Sequence, residues 1–382
     1  MTRLTTLNFF FCFAAGNAHS MRPKMHFTTE RLERMQRSLE LALNQEWPQL
    51  SATQVRLAKL RPRPIAIRPP TMKRMAVVAT VATDGGENKL SLEPIQLQVI
   101  RVADSMGVVY FEEFVAQSLK PEEILKFFFQ SDQRLQRFLA YLRLDWPELM
   151  PRSDFQRSQL LSMLRELMEW AALLKLASEP PMKLLVRDGL LRSVLLTEVV
   201  FQRLREKFEA LTTRHGHLLV GVAKRSRVLS YLSMALGLNE SFCDADPAYL
   251  PIPAELERQA APAQYRWIGS RAMGLLHIAR LDRGEGVPLM PVDIAAWQQA
   301  RAEEAMSLLN ESAHASFPLR GYPQALVQAH DHARIGGLEI EMMESLLLQK
   351  LSNLNPAAGH TARHLMLLGK QLSQGVNNDE PE

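Results

Sequence analysis

Cysteine is almost absent: among 382 residues only Cys12 and Cys243 carry a thiol. Two thiols allow at most one bridge, so a disulfide scaffold is excluded and a reducing compartment, the cytoplasm, is the expected setting. Long apolar runs are missing as well. No stretch reaches the ~18 apolar residues that a membrane-spanning helix needs, and no membrane association is expected. There is no internal repeat and no low-complexity tract. The chain also lacks His-Glu-x-x-His, paired Cys-x-x-Cys, a phosphate loop and Gly-x-Ser-x-Gly. Those absences argue against zinc hydrolases, P-loop ATPases and serine esterases. An excess of one charge is missing too: 45 Lys+Arg face 41 Asp+Glu, a formal net charge of +4. So mild a surplus permits a polyanionic partner without demanding one. What is present, 47% hydrophobic and 23% charged residues, is the make-up of a soluble globular chain with room for an ample core.

The first twenty residues imitate a secretory signal, with Arg3, an apolar run over 9–15 and small residues at 14–18. The run is short, and Met21 and Met25 follow closely. An overlong start is favoured over export, and residues 1–25 are set aside as an extension. Residues 26–75 should form a helix and a basic connector. Leu32, Met35, Leu39 and Leu43 recur at helical spacing after Thr28 and Thr29, and the helix should end near Trp47-Pro48. From 51 to 75 there are seven basic residues and no acidic one, with Pro62, Pro64, Pro69 and Pro70 favouring an extended path. This stretch reads as a solvated linker or as an arm facing nucleic acid.

A β-rich run over 76–83 should stop at Asp84-Gly85-Gly86. Ile95, Leu97 and Val99 alternate with polar residues, and 108–111 forms a third short run after a turn. These read as three consecutive antiparallel strands. Helices are expected over 121–144 and 158–176, with Pro121 at a first helical position. A strand over 183–187 ends at Asp188-Gly189, a helix follows over 195–211, and a strand over 218–223 ends at Lys224. Beyond it, a helix over 227–238, strand material within 267–282 and a helix over 294–309 are expected. A further helix should run from Tyr322-Pro323 to Arg334, break at Gly336-Gly337 and resume over 338–351. The fold class is therefore α/β: a mixed sheet flanked by helices, with helical insertions and a helical C-terminal region. One domain should cover 76–352, with a C-terminal tail over 353–382 that frays at its polar end.

Two strands expected to be neighbours each end in Asp-Gly, at Asp84 and at Asp188. In an open sheet, groups beyond the carboxyl ends of strands gather in one crevice. Two carboxylates there repel unless a cation sits between them, and oxygen ligands favour hard ions such as Mg²⁺ or Mn²⁺. Each aspartate taken singly also reads as an ordinary turn residue. Glu166 and Glu169, three apart on the intervening helix, are candidates for a third carboxylate, though surface glutamates are usually solvated. Lys224 at its strand end could hold a phosphate or simply terminate the strand. His330 and His332 are two apart and cannot share a helix face, so they form no zinc pair.

Taken together, the strand ending in Asp84-Gly85, the run around Asp188-Gly189, the Val-Gly-Val-Ala-Lys224 strand and Gly-Tyr322-Pro followed by Ala-His330 resemble the NurA nuclease family. The likeness spans about residues 76–335. It implies a ribonuclease H-like fold and a Mn²⁺- or Mg²⁺-dependent DNA nuclease. It also implies a homodimer working with a HerA-like hexameric ATPase translocase on DNA ends, in repair or defence. By position, Asp84 and Asp188 match the two family aspartates and Glu169 fits the helix glutamate better than Glu166. These three would hold the metal, while Lys224, Tyr322 and His330 match the remaining polar positions. The resemblance departs at Gly86, where a serine is expected of the family. A catalytically inactive adaptor that binds DNA or the translocase is the alternative. A phosphotransfer or phosphatase enzyme using the same carboxylates on a small substrate is a third reading.

Overall fold

Valine, leucine and alanine fill short runs that have no polar face, and such runs make strands covered on both sides. The computed structural model describes residues 29–61, 63–65, 79–92, 95–116, 119–131, 133–151, 153–224, 232, 246–260, 271–284, 287–314 and 316–377. The signal-like start, the connector residues 66–78 and the helix expected over 227–238, apart from Leu232, lie outside the described residues.

In chain order the elements are α1 (Thr29–Leu57), β1 (Arg63–Pro64), β2 (Ala79–Leu92), β3 (Ile95–Asp104), β4 (Val109–Ala116), α2 (Pro121–Ser131) and α3 (Gln133–Leu142). There follow α4 (Asp154–Ser158), α5 (Leu160–Ala177), β5 (Lys183–Asp188), α6 (Glu198–His215), β6 (Leu218–Val222), β7 (Ala248–Pro251) and α7 (Ala254–Ala260). The chain then forms β8 (Gly274–Arg280), β9 (Met290–Ala295), α8 (Ala302–His314), α9 (Gln324–Ala333), α10 (Gly337–Leu354) and α11 (Pro356–Asn377).

The described strands make one mixed sheet in the order β1-β7-β8-β9-β6-β5-β2-β3-β4. As expected, β2, β3 and β4 are antiparallel, and β5 and β6 lie parallel to β2. Alternation along the strands sends successive side chains to opposite faces. Val81, Leu185 and Leu219 face a core built with α2, α3, α5 and α6. Ala82, Val186 and Val220 face a second core built with α8 and α9.

Several expectations are corrected. The first helix does not end at Trp47-Pro48 but runs through Pro48 to Leu57. Its last turns are anchored because Leu57, 1% exposed, packs with Leu250, Ile252 and Ile278, and packing overrides local propensity. The connector is accordingly helical over 51–57, and Arg63 and Pro64 pair with Tyr249 and Ala248 as an edge strand. The strand carrying Asp84 does not stop at Gly85-Gly86; it continues to Leu92, paired with β3 throughout. Ile294 belongs to the strand β9 and not to a helix over 294–309, because Val292 and Ile294 are fully buried between β6 and β8. The span expected as a tail carries the helix α11 across most of its length.

One buried ion cluster joins the loop after β5 to the far half of the sheet. Asp293, fully buried, accepts from Arg192 Nε at 2.7 Å, Arg192 Nη2 at 2.8 Å and the Leu191 amide at 3.1 Å. Glu257 takes the remaining Arg192 nitrogen. Removing one member of a buried pair strands the other charge, so Asp293→Ala is expected to destabilise the fold by roughly 3–5 kcal/mol. Urea unfolding monitored by circular dichroism measures the loss.

Candidate metal centre

The parallel pairing of β2 with β5 ends at Thr83 and Arg187. The next residue on each strand is an aspartate, and both project to the face covered by α9, in line with Ala82 and Val186. His330 descends from α9 onto the same spot, its Nδ1 2.8 Å from Asp84 Oδ2. The other Asp84 oxygen accepts from the Gly85 amide at 2.7 Å. One ligand atom from each of Asp84, Asp188 and His330 falls within 4.8 Å of the others. The residues that the sequence placed in separate motifs therefore converge, and two carboxylates with one imidazole suit a divalent cation.

Lys224 follows β6 and donates to Asp188 Oδ2 at 3.2 Å, while its ammonium lies 5.3 Å from the centre of the Tyr322 ring. Asp188 is held above the usual carboxylate range, chiefly by burial and then by the Asp84 charge, against the pull of Lys224. Two carboxylates this close repel, and a cation between them relieves the repulsion. Tyr322 is 2% exposed, and its hydroxyl has no hydrogen-bond partner. Burial, followed by the charges of Asp188 and Asp84, pushes its pKa far up. The phenol thus stays an O–H donor lacking an acceptor, and an orphaned buried donor beside two carboxylates marks a place for one more oxygen. That observation, together with the donor set, fits a bound ion and its water.

Glu169 sits elsewhere. It projects from α5 on the opposite face of β2, outside the group of three, and lies against Gly85. Arg165 and Arg187 hold it at 3.4 Å and 3.6 Å. Burial outweighs both arginines and pushes its carboxyl up to about 8. Glu166 is committed to structure: it accepts from Trp170 Nε1, Arg187 Nη2 and Ser193 Oγ at 3.2, 3.2 and 3.0 Å. His332 lies with its Nδ1 3.0 Å from the Asp104 carbonyl oxygen, away from the carboxylates.

The arginines were not singled out in the sequence. Arg187 precedes Asp188, faces α5, and rests 4.4 Å from the Trp170 ring centre. Arg165 donates to the Gly85 carbonyl at 2.6 Å. Arg187 was legible as an arginine beside an aspartate in a strand; Arg165 was not, since besides Glu169, one turn on, its partners Gly85 and Glu87 come from β2.

A family model described as the NurA domain matches residues 78–335. Among solved structures, that of the NurA nuclease from Sulfolobus solfataricus is similar at 14% identity and a TM-score of 0.46, covering 85% of this chain and 98% of that one. A crystal structure of NurA is similar at 13% identity and a TM-score of 0.38, covering 84% and 97%. Another, of NurA bound to dAMP and manganese, stands at 11% identity and a TM-score of 0.36, covering 84% and 97%. No curated protein matches the chain.

Proposed function

Because this chain belongs to the NurA family, we propose that it is a divalent-metal-dependent deoxyribonuclease acting on DNA ends or single strands. The observation that carries this reading is the convergence of Asp84, Asp188 and His330 within 4.8 Å. It also favours an enzyme over an inactive adaptor, which has no need of such a set. The strand order β4-β3-β2-β5-β6, three antiparallel strands then two parallel ones, supports a ribonuclease H-like core.

Asp84, Asp188 and His330 would hold Mn²⁺ or Mg²⁺, while Glu169 lies behind them, against Gly85 on the other face of the strand that carries Asp84. Manganese is the ion that another NurA protein has been solved with. A bound ion supplies an activated water and neutralises the scissile phosphate. Lys224, half exposed beside Asp188, contacts a non-bridging phosphate oxygen. The Tyr322 hydroxyl donates to an oxygen in the dry part of the site and fixes its direction. The His330 imidazole, its Nδ1 on Asp84, either completes the ligand set or, left off the ion, carries a proton between water and the departing oxygen.

A HerA-type hexameric translocase and a second copy of the chain are the partners we assign, on the family resemblance. Exposed Leu338, Met342, Leu346 and Leu354 on α10 support an assembling surface. Cytoplasmic work on DNA agrees with the low cysteine content, and no helix among the described residues is long and apolar enough to cross a membrane.

The test is degradation of linear single- and double-stranded DNA in Mn²⁺, in Mg²⁺ and with chelator. Cleavage in Mn²⁺ that chelator stops is expected. DNA retention without cleavage would transfer the assignment to the adaptor. A pH series sharpens it: at sub-saturating Mn²⁺, cleavage should climb from pH 6 to about 8, the value to which burial raises Glu169. Below that value the carboxyl carries its proton and is neutral; above it the added negative charge, felt at Asp84 across the strand, favours the cation there. Glu169→Gln should be slower and flatter across the same window.

A further inference from the structure

The helix α11 rests on α10 through Gly359 and Ala362, both buried, with Gly359 directly against Ser352. A residue one or two positions from that seam faces outward. His360 and His364 are both exposed there, one turn apart. Their Nε2 atoms lie 3.3 Å apart and their ring centres 4.5 Å apart. Among the described residues, neither ring has another hydrogen-bond or ion-pair partner.

The separation is informative. Two imidazole nitrogens at ~2.05 Å from a tetrahedral ion stand about 3.3 Å from each other. In the neutral pair the contact uses one proton and one lone pair as a long N–H···N bond, and loss of that proton leaves two lone pairs converging on one point. We infer that His360 and His364 form a second metal site, for a late first-row divalent ion of the Zn²⁺, Ni²⁺ or Cu²⁺ class, with water completing the coordination. The donor chemistry separates it from the carboxylate centre. Imidazole pairs prefer these ions, in rising order towards copper, whereas Mg²⁺ and Mn²⁺ take oxygen-rich sets. The site depends on nothing in the nuclease assignment, and either can fail without the other.

Binding at positions four apart ties one helical turn into a ring, so the occupied site should stiffen α11. The experiment compares the full chain with His360→Ala, His364→Ala and the double variant, using ZnCl₂ alone and MnCl₂ alone as probes. Alanine is the better helix former, so loss of folding is not the expected route to loss of binding. Isothermal titration of the wild type with Zn²⁺ should show one more equivalent than the double variant, and each single variant should bind that equivalent at least tenfold more weakly. Zn²⁺ should raise the thermal midpoint of the wild type by more than that of the double variant. Mn²⁺ stoichiometry and Mn²⁺-dependent cleavage should not change. Equal Zn²⁺ equivalents in wild type and double variant would overturn the site, as would an equal loss of bound Mn²⁺.

Discussion

Asp188→Asn is expected to reduce Mn²⁺-dependent DNA cleavage by roughly 10³-fold or more, the scale on which a preorganised charge at a reacting centre operates. The argument rests on what the substitution leaves intact. Asparagine has the same shape, and its carbonyl oxygen can still accept from Lys224, which approaches Asp188 at 3.2 Å. What disappears is one of the two negative charges that face each other across the ends of β2 and β5. Burial and the neighbouring Asp84 already strain the charged form of Asp188. The metal-free variant should therefore unfold at the same temperature as the wild type or a higher one. Loss of activity without loss of stability is the signature of a residue placed for a cation. A variant that keeps a tenth of wild-type cleavage would move the metal centre elsewhere.

The second large effect is expected from adding a single carbon atom. A Cβ at Gly86 would meet the Ala333 carbonyl oxygen at 2.0 Å, and one at Gly85 would meet Glu169 Oε1 at 2.3 Å. The two glycines face opposite sides of β2, so each admits a different helix. At Gly86 the obstacle is backbone, which cannot rotate away, and the helix it belongs to carries His330 only three residues earlier. Gly86→Ala should cost about 1–3 kcal/mol, as overpacking does, and should lower cleavage about 10²-fold, as a 1 Å displacement of a catalytic group does. Gly85→Ala should act through Glu169 and Arg165, with a smaller loss of stability because a side chain can yield. Gly337→Ala is the matched control: nothing lies within 4 Å of the added carbon, and it should be neutral. Equal activity of Gly86→Ala and Gly337→Ala would show that the approach of α9 is not what sets His330.

The same glycines explain where reading the sequence failed. Asp-Gly-Gly is turn chemistry when judged locally, so the strand was expected to stop there. Its continuation to Leu92 is dictated by ten paired positions on β3 and by two helices that need bare backbone, neither of which is local information. Gly86, where the resemblance led to a serine being expected, meets the Ala333 backbone in the same contact. The aspartates were legible because strand ends in a parallel arrangement share a crevice, and Asp84 meets Asp188 there even though its own strand goes on. Glu166 and Glu169 could not be told apart by spacing. Their difference lies in Trp170, Ser193 and Arg187, which reach Glu166 from three sides. The strands β7 and β9 are four and six residues long, too short to display a period.

The continuation of β2 has a mechanical consequence. Beyond Gly86 the β2–β3 ribbon becomes the bed on which the C-terminal helices lie, through Leu90, Val99, Ile335 and Met343, with Ile340, Leu347 and Met366 packed beside them. The ribbon and Asp84, the residue at the candidate metal centre, are one uninterrupted strand. A load applied to α10 or α11, by whatever docks on them, is delivered along that strand to Asp84 as to the short arm of a lever.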